Sequence, residues 1–342
     1  MERRGWTVLI GTVLVAALTA VSLLVKVPYV ALGPGPTTNT MGKGPDGKQI
    51  ITVVRGGTAS ESKGQLRLVT VTVTDNLTLW SAVWDWFDDD YAVVPRDVVY
   101  PPDQSDQQTD QQQQQQFQDS QTAAETAAYR ELGCTGPAEV TVTSVTKDSG
   151  ADGKLRSDDV ITTVDGQKVT STENLVKLVQ AKPAGTERTV GYERDGKAGT
   201  ARITTGKGST GKAALGVTVS EKQPCKYEVK VSLGDIGGPS AGLMFALGIV
   251  DTLTPADLTG GMVIAGTGEI DAAGKVGPIG GIQEKLIGAR RDGATVFLTP
   301  KDNCAQAAKS VPDGLRLVKV DTLHDAVQAL ADLRAHKPTP TC

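Results

Sequence analysis

The sequence predicts an α+β protein of several domains behind a single N-terminal transmembrane helix. Three patterns support this prediction: an uncharged apolar run opens the chain, alternating Val, Ile and Thr residues mark strands in its middle, and apolar residues recur at helical spacing in its last hundred positions. With 342 residues, 39% of them hydrophobic and 22% charged, the chain has enough apolar side chains for two or three cores.

Charge and composition exclude several functional classes. The formal net charge is -4, and the sequence has no dense cluster of Lys and Arg, which argues against a nucleic-acid partner. No two cysteines have the close spacing of zinc ligands, so we expect no metal site, and no motif implies a cofactor.

The apolar run extends from residue 7 to 25 and contains no charged side chain. Its length is close to the roughly 20 residues that a helix needs to cross a bilayer. Arg3 and Arg4 precede it, so the positive-inside tendency places the N-terminus in the cytoplasm and the rest of the chain outside, although Lys26 weakens this bias. A cleaved signal peptide is the alternative, but the run exceeds the ~7–15 residues of a typical signal-peptide core and no A-x-A site follows. We therefore predict a retained single-pass anchor in the cell membrane.

The segment after the anchor has mixed character. Residues 49–54 and 65–74 have the composition of strands. Residues 79–87 contain three tryptophans and predict a short helix whose aromatic side chains pack in a local core; contact with the membrane interface is an alternative without other support. The Gln-rich residues 101–118 are expected to form a solvated loop or a frayed helix start. Helix formers then predict a helix over 120–132, which ends at a glycine.

The next segment combines a strand, small-residue turns, a hairpin and a helix. The strand covers residues 140–145, the hairpin carries the run DDVITTVDGQKV at 158–169, and the helix lies around 172–181. This order resembles a PDZ domain of the bacterial protease-associated type. The resemblance implies that a peptide adds to the domain as a strand beside a helix. The carboxylate-binding loop of the family is not recognisable in residues 133–137.

Residues 206–213 nearly spell a phosphate-binding loop. Ala213 stands where such a loop needs a Ser or Thr to bind Mg²⁺. The residues that follow, 215–219, have strand composition, whereas a phosphate-binding loop opens a helix. We interpret this segment as an inter-domain linker and expect no ATP binding here.

The strongest chemical signal is a serine in the glycine-rich turn at 237–242, with the sequence GGPSAG. Ser240 precedes an apolar helix that we predict to run to about Leu253, before Thr254 and Pro255. Unpaired main-chain N–H groups at such a helix start can stabilise an oxyanion, and the glycines allow a substrate backbone to come close. Taken alone, the same turn is also typical of an ordinary helix cap.

A lysine follows in a second predicted helix. The apolar positions of that helix at i, i+4 and i+7 spacing are Ile282, Leu286 and Ala289. The positions expected to face solvent are Gln283, Glu284, Arg290 and Arg291. Lys285 borders the apolar stripe, and burial lowers the pKa of a lysine, so its neutral amine could accept the proton of Ser240. Taken alone, such a lysine is more often a surface residue.

The motif GPSAG at 238–242 and the run GTGEIDAAGKVGPIGGIQEKLIGARRDGA at 266–294 resemble the proteolytic domain of Lon proteases, over about 215–333. That family uses a Ser-Lys dyad, which the resemblance carries onto Ser240 and Lys285. It also implies that Thr267 forms a hydrogen bond near the lysine. The implied supporting residues of the serine motif are Gly238, Pro239, Ala241 and Gly242.

With the anchor and the PDZ segment, the whole chain resembles the membrane-anchored PDZ–Lon-like proteases of Gram-positive bacteria, which are Lon-type Ser-Lys peptidases of the S16 family. The resemblance implies a ribosomal-S5-domain-2-like α+β catalytic domain outside the cytoplasm, and a hexameric ring as its homo-oligomer. It implies ATP-independent cleavage of peptides or of unfolded, secreted or membrane-associated proteins, with the PDZ domain binding substrate or regulating the site. The chain departs from full-length Lon in lacking the ATPase and the N-terminal recognition domain.

These inferences divide the chain into six parts. The expected parts are 1–27 (cytoplasmic tip and anchor), 28–133 (β-rich segment with the Gln-rich loop and a helix), 134–206 (PDZ domain), 207–214 (linker), 215–337 (Lon-type domain) and 338–342 (tail).

Two other functions remain open from the sequence. The G-x-S-x-G turn is also the nucleophile elbow of α/β-hydrolases, with His324 downstream in the right order, but His324 has an amphipathic helix pattern around it and too few βα units surround the serine. From another class, the chain is a catalytically silent, membrane-tethered PDZ scaffold. We expect Asp235, Glu269 and Asp271 in turns or solvated positions.

Four cysteines, an even number, predict two disulfides in an oxidising compartment. Sequence alone permits three pairings. We expect Cys134 with Cys225, because these residues bracket a module whose ends should lie close together, and Cys304 with Cys342, which would hold the tail. Free thiols are the alternative.

Overall fold

The computed structural model describes residues 2–44, 47–56, 62–102, 104–134, 139–208, 210–222, 225–233, 237–255 and 257–342. Its strands are β1 (Tyr29–Asn39), β2 (Ile51–Arg55), β3 (Gln65–Thr74), β4 (Ala92–Pro95), β5 (Glu139–Val145), β6 (Val160–Val164), β7 (Gln167–Lys168), β8 (Glu187–Arg194), β9 (Lys197–Thr204), β10 (Gly206–Lys207), β11 (Ala213–Ala214), β12 (Val217–Lys222), β13 (Glu228–Val231), β14 (Val263–Gly266), β15 (Glu269–Ile270), β16 (Val276–Gly277), β17 (Val296–Pro300) and β18 (Arg316–Val320). Its helices are α1 (Glu2–Leu24), α2 (Leu79–Trp86), α3 (Asp106–Glu131), α4 (Thr172–Gln180), α5 (Gly242–Leu253), α6 (Ile282–Arg291), α7 (Cys304–Ala307) and α8 (Leu323–Arg334).

These elements form two compact units, and the predicted multidomain α+β class is confirmed. The first unit takes the described residues within 1–53, 57–124 and 229–342. The second takes those within 54–56 and 125–228.

The first unit is built on a six-stranded sheet with the order β18-β17-β14-β3-β1-β4. The strands β18, β17, β14 and β3 run parallel, and β1 runs antiparallel to both β3 and β4. The strands between α1 and the PDZ segment therefore belong to this larger sheet. The sequence predicts a separate β-rich region there, and the structure does not contain one in the residues it describes. A small separate sheet would leave one edge of β3 unpaired, but this edge pairs with β14. Gln65 lies opposite Val263, and Leu68 lies opposite Gly266.

Two helices, α5 and α6, pack on this sheet. Every residue of α5 is buried, and this helix contacts β3 and α8. The helix α6 contacts β1 and β3, and its Ile282, Leu286 and Ala289 are fully buried, as the apolar spacing predicts. A helix that is apolar on all sides, such as α5, belongs in the middle of a core.

Of the two alternatives for the Gln-rich residues 101–118, a solvated loop or a frayed helix start, the structure has the helix from residue 106 onward, and the loop is wrong for these residues. Residues from Asp106 onward form one continuous helix, α3, which includes the second predicted helical stretch. Phe117 on this helix is buried and packs edge-to-face on Phe245 of α5, with 5.7 Å between ring centroids. This tertiary contact stabilises a helix whose own composition gives it little apolar periodicity.

The aromatic residues near α2 do not form a local core, which corrects a second expectation. Of the α2 residues, Ala82 alone is buried. The exposed fractions of Trp80, Trp84, Trp86 and Phe87 are 51%, 67%, 68% and 82%. The residue of α2 that packs against the rest of the unit is the small Ala82, which lies in a cluster with Ala31 and Leu77.

The N-terminal helix α1 is long and apolar. Its residues Gly5–Leu24 have the length and composition that a membrane span or a signal sequence requires, and none of the window is buried. The predicted run ended one residue later, at Val25, which lies beyond the helix.

The second unit contains the elements predicted for residues 138–205. Its sheet has the order β12-β5-β6-β8-β9, with β7 paired to β6, and α4 follows the hairpin. The segment expected to be a linker forms the hairpin β10–β11, and Ala213 and Leu215 pack in the core of this unit. The strand β12, expected at the start of the next domain, pairs with β5 in this sheet, because its apolar residues complete the same core. Of the loop at 133–137, residues 135–137 lie outside the described residues.

Both disulfides are formed. Cys134 is bonded to Cys225 within the second unit, and Cys304 is bonded to Cys342 within the first. The first bond joins two ends of the second unit, and the second fastens the C-terminal tail beside α7.

Candidate active site

A cavity of about 710 Å³ lies within the first unit and contains the serine and the lysine singled out in the sequence. One wall comes from β1 and β3, including residues 70–73, and another from the glycine-rich turn before α5. The remaining lining includes Gln113 of α3, Glu269 of β15 and Lys285 of α6. Elements far apart in the sequence therefore meet at this cavity.

Ser240 lies in the turn that precedes α5, not in the helix itself. The first helical residue is Gly242 and the cap residue is Ala241, so the serine stands one residue before the cap. Its backbone C=O accepts hydrogen bonds from Thr267 Oγ1, at 3.0 Å, and from the Gly268 N–H, at 2.9 Å. These bonds hold the backbone of the serine against the start of β15.

The turn is also fastened to α3. The Gly238 N–H donates to the Gln113 C=O at 3.0 Å, and Ser120 Oγ donates to the Pro239 C=O at 2.9 Å. Neither α3 residue was singled out from the sequence, because a run of glutamines carries no signal of a particular contact. The helix α3 thus positions the two residues directly before Ser240.

Two glycines of the motif have distinct structural roles. Gly238 has a φ of +82°, a conformation that favours glycine. Gly242 is buried, and a Cβ there would meet Ser120 Oγ and Ile270 Cγ2 at 2.7 Å. The expectation that Gly242 gives room to a substrate backbone is therefore wrong, since the space is filled by its own neighbours.

The start of α5 offers hydrogen-bond donors to the cavity. In the part of the chain that the structure describes, the main-chain N–H groups of Ser240 and Ala241 donate no hydrogen bond. They precede the N-terminus of a 12-residue helix, where the peptide dipoles favour negative charge. This arrangement can stabilise an oxyanion that forms next to the serine.

Lys285 is buried, with 4% of its surface exposed, although it is among the residues that line the cavity. Burial lowers the pKa of its amine from 10.5 to about 8. The negative charges of Glu269 and Glu284 act in the other direction and raise this pKa. Its Nζ donates a hydrogen bond to Thr267 Oγ1 at 3.3 Å. A large share of this amine is therefore neutral in mildly alkaline solution.

Glu284 does not face solvent, which corrects the expectation for that position. Only 6% of it is exposed. It lies in the first turn of α6, where the helix dipole favours a carboxylate, and its charge acts on the neighbouring Lys285.

Thr267 connects the two candidate residues. Its hydroxyl accepts from Lys285 Nζ and donates to the Ser240 C=O. Within the described part of the chain, no hydrogen bond joins Ser240 Oγ to Lys285 Nζ directly. Uncomplexed active sites are often looser than the working geometry, so proton transfer needs a closer approach of the serine hydroxyl.

The other acidic and histidine candidates lie elsewhere or play other parts. His324 is exposed on α8 and is not among the residues that line the cavity. Asp271 accepts hydrogen bonds from the N–H groups of a turn, and Glu269, although exposed, lines the cavity. Asp235 lies outside the described residues. Among the described residues, no group of three or more His, Cys, Asp or Glu side chains is arranged to hold a metal ion.

Comparison with known families agrees with these observations. The model of the Lon protease (S16) C-terminal proteolytic domain matches residues 217–332, and the model of the PDZ domain matches residues 109–205. The chain therefore contains a Lon-type (S16) proteolytic domain and a PDZ domain, and both predicted resemblances are confirmed.

Individual relatives are similar over part of the chain. Lon protease 1 of Bacillus subtilis is 37% identical over 110 residues, which are 30% of this chain and 14% of that protein. Lon protease homolog 2, peroxisomal, of Caenorhabditis elegans is 31% identical over 173 residues, which are 49% of this chain and 22% of that protein. The chain thus matches less than a quarter of the length of either relative.

Solved structures of PDZ domains match about a quarter of the chain. The PDZ domain of the SdrC-like protein from Listeria monocytogenes is 27% identical, covers 23% of this chain and 85% of that chain, and has a TM-score of 0.23. The corresponding domain from Listeria innocua is 29% identical, covers 24% and 92%, and has a TM-score of 0.23.

The burial of Lys285 predicts a stability difference that depends on pH. An unfolded lysine, with a pKa of 10.5, binds its proton more tightly than the buried one, with a pKa of about 8. Below pH 8 the charged, buried amine therefore lowers the free energy of unfolding by its full contribution. This contribution becomes smaller as the pH rises from 8 to 10.5, so the protein becomes more stable over that range. We expect Lys285→Met to raise the free energy of unfolding at pH 7 by up to about 3 kcal/mol.

Thermal unfolding of the full chain in detergent, measured from pH 6 to 10.5, checks this prediction. The matched control is Lys309→Met, which removes an exposed lysine of the same unit. A stabilisation by Lys285→Met that stays constant up to pH 10.5, or a loss of stability at pH 7, contradicts a depressed pKa at this position.

Proposed function

We propose that this chain is a serine endopeptidase in which Ser240 is the nucleophile and Lys285 the general base. The observation that carries the proposal is that both residues line one cavity, in which burial brings the pKa of the lysine to about 8. The match to the S16 proteolytic domain, which contains both residues, supports the same chemistry.

In the first step, the Ser240 hydroxyl approaches Lys285 Nζ, gives up its proton and attacks the scissile carbonyl carbon. The neutral lysine serves as base because the site has no histidine among its lining residues. Thr267 keeps the amine aimed at the serine through the hydrogen bond it accepts. The turn held by Gln113 and Ser120 fixes the backbone from which the nucleophile extends.

The tetrahedral intermediate carries a negative oxygen, which the N–H groups of Ser240 and Ala241 at the start of α5 stabilise. When the intermediate collapses, Lys285 returns the proton to the leaving amine, and an acyl group remains on Ser240 Oγ. Water then attacks this ester while Lys285 takes its proton. The bond between the acyl carbon and Ser240 Oγ breaks, Lys285 returns the proton to Oγ, and the acid product leaves. Every step is acyl transfer, which requires a nucleophile, a base and donors to the oxyanion. Residues of this chain supply all three.

The proposed substrates are peptides and unfolded, secreted or membrane-associated proteins, cleaved without ATP. The residues that nearly spell a phosphate-binding loop form the short hairpin β10–β11 and lead into a strand, which supports the absence of nucleotide binding there. Because the proposed cleavage uses no ATP, a peptide must enter the cavity already extended.

We propose that the second unit binds such chains through β12. This strand lies at one edge of its sheet, and α4 packs beside it. The N–H of Thr172, in α4, donates a hydrogen bond to the Glu221 carboxylate of β12 at 2.5 Å. An extended peptide adding to the outer edge of β12 forms main-chain hydrogen bonds there, in the manner of PDZ domains.

We propose that α1 anchors the chain in the cell membrane with its N-terminus in the cytoplasm and the catalytic unit outside. The length of the apolar helix and the two preceding arginines support this orientation. The two disulfides suit an oxidising compartment. The hexameric ring is proposed from the resemblance to Lon proteases alone.

The roles of the two residues predict a clear mutational pattern. Ser240→Ala and Lys285→Met should each lower the cleavage of unfolded casein by at least about 10³-fold, because either change removes a partner of the reaction. His324→Ala should retain activity near that of the wild type, and ATP should not stimulate any variant. The measurement is peptide release from casein by the full chain in detergent.

Other patterns of activity among these variants would indicate other functions. An inactive His324→Ala beside an active Lys285→Met indicates a histidine-based hydrolase. Equal turnover, or none, by wild type and Ser240→Ala contradicts a peptidase and favours the silent PDZ scaffold.

The pKa of Lys285 also predicts the pH dependence of catalysis. Only the neutral amine accepts the serine proton, so kcat/KM should rise with pH through a midpoint near 8. Glu269 raises this pKa, so Glu269→Gln should move the midpoint to lower pH. Asp313→Asn, which changes an exposed carboxylate outside the cavity lining, is the matched control and should leave the midpoint in place. A flat profile from pH 6 to 9, or an upward shift in Glu269→Gln, contradicts the lysine base.

A further inference from the structure

The helix α2 has its apolar and polar residues in the reverse of the usual arrangement. Its exposed side chains, together with the following Phe87, are apolar or aromatic, and they form a surface called here the α2 patch. The α2 patch consists of Leu79, Trp80, Val83, Trp84, Trp86 and Phe87. The polar residues of the helix, Ser81 and Asp85, are half-buried. A helix whose exposed face meets water has the opposite distribution, so this face is made for an apolar neighbour.

A shallow groove continues the patch onto the sheet. It has a volume of about 230 Å³ and lies between α2 and the strands β1 and β4. Val27, Tyr29 and Val93 line it from the sheet side. The apolar surface therefore extends from α2 to the first residues after α1.

The α2 patch lies directly beside the end of α1. The Leu79 N–H donates to the Val25 C=O, and the Val27 N–H donates to the Leu77 C=O, each at 2.9 Å. Lys26 Nζ is held by Asn76 Oδ1 at 3.2 Å. The first residue of α2 is thus hydrogen-bonded to the residue that follows the apolar helix, and the two apolar surfaces cannot separate without breaking these bonds.

We propose that the α2 patch inserts into the lipid interface of the bilayer that α1 spans. This inference rests on the proposed role of α1 as a membrane anchor. Tryptophan is the side chain most typical of that interface, because its ring is apolar and its indole N–H reaches polar headgroups. The patch has three tryptophans at the depth where α1 leaves the hydrocarbon, and insertion fixes the orientation of the first unit relative to the membrane.

The surrounding charges favour a zwitterionic lipid surface over an anionic one. Asp88, Asp89 and Asp90 follow the patch directly, and Asp90 is paired with Arg291. Of the other cations near the patch, Lys26 is bonded to Asn76, and Arg96 is paired with Asp75 and Asp106. Anionic headgroups are therefore repelled, and apolar burial drives the insertion. We expect it to be insensitive to salt, since screening acts on charges and not on apolar contacts.

Fluorescence of the full chain tests the proposal. The chain has four tryptophans, so Trp6→Phe leaves those of the α2 patch as the reporters. In phosphatidylcholine vesicles we expect blue-shifted emission that brominated acyl chains quench, most strongly when the bromines lie near the headgroups. Emission typical of water, without quenching, overturns the proposal. Blue-shifted emission that bromines do not quench and that returns to longer wavelength as the protein is diluted in lipid also overturns it, because a second copy then covers the patch.

A companion variant separates this inference from the anchor. Trp80→Phe/Trp84→Phe/Trp86→Phe leaves Trp6 of α1 as the reporter. If bromines quench Trp6 but not the α2 patch, α1 is inserted and the patch proposal alone fails. If they quench neither, both the anchor and the patch proposal fail.

Discussion

The desolvation of one amine is the constraint on which the rest of this structure depends. An ammonium group away from water is costly, and a lysine that is nearly fully buried releases its proton more readily for that reason. Lys285 is buried, yet it is among the residues that line a cavity of about 710 Å³. Keeping water away from the side chain while leaving its end accessible requires well-packed walls on several sides.

Those walls come from distant parts of the chain. The strands β1 and β3 supply one side of the cavity, and they belong to the same sheet as β14, β17 and β18. The helix α3 holds the turn before the serine, and α5, buried on all sides, holds the turn from beneath. The candidate site, whose sequence motifs lie within residues 238–294, thus depends on residues that follow α1 closely. The order of the first unit explains why: its sheet is continuous from β4 to β18.

The sequence was most informative where a local rule or a motif acts. The helix of Lys285 has a clear apolar spacing, and the PDZ hairpin has turn residues at fixed offsets, so both were predicted closely. The failures came from tertiary contacts. Nothing in a run of glutamines reveals that Phe117 reaches Phe245, or that the Gln113 backbone receives the Gly238 N–H. The pairing of β3 with β14 joins residues nearly two hundred positions apart, and no local pattern encodes it.

The same distinction explains the surface of α2. The general preference of tryptophan for burial predicts a core around α2, but Ala82 is the residue of this helix that is buried against the rest of the unit, and the indole rings lie on its exposed side. A preference for burial says that a side chain avoids water, but it does not say what covers that side chain. For this helix, the neighbouring elements include the end of α1.

The titration of Lys285 itself tests the central claim most directly. NMR of the protein labelled with ¹³C at lysine Cε, with Lys285→Met for assignment, follows the charge of this amine without any substrate. We predict a midpoint near pH 8, well below that of the exposed lysines. A midpoint at pH 10 or above would show that the amine stays charged, and that it cannot be the base that activates Ser240.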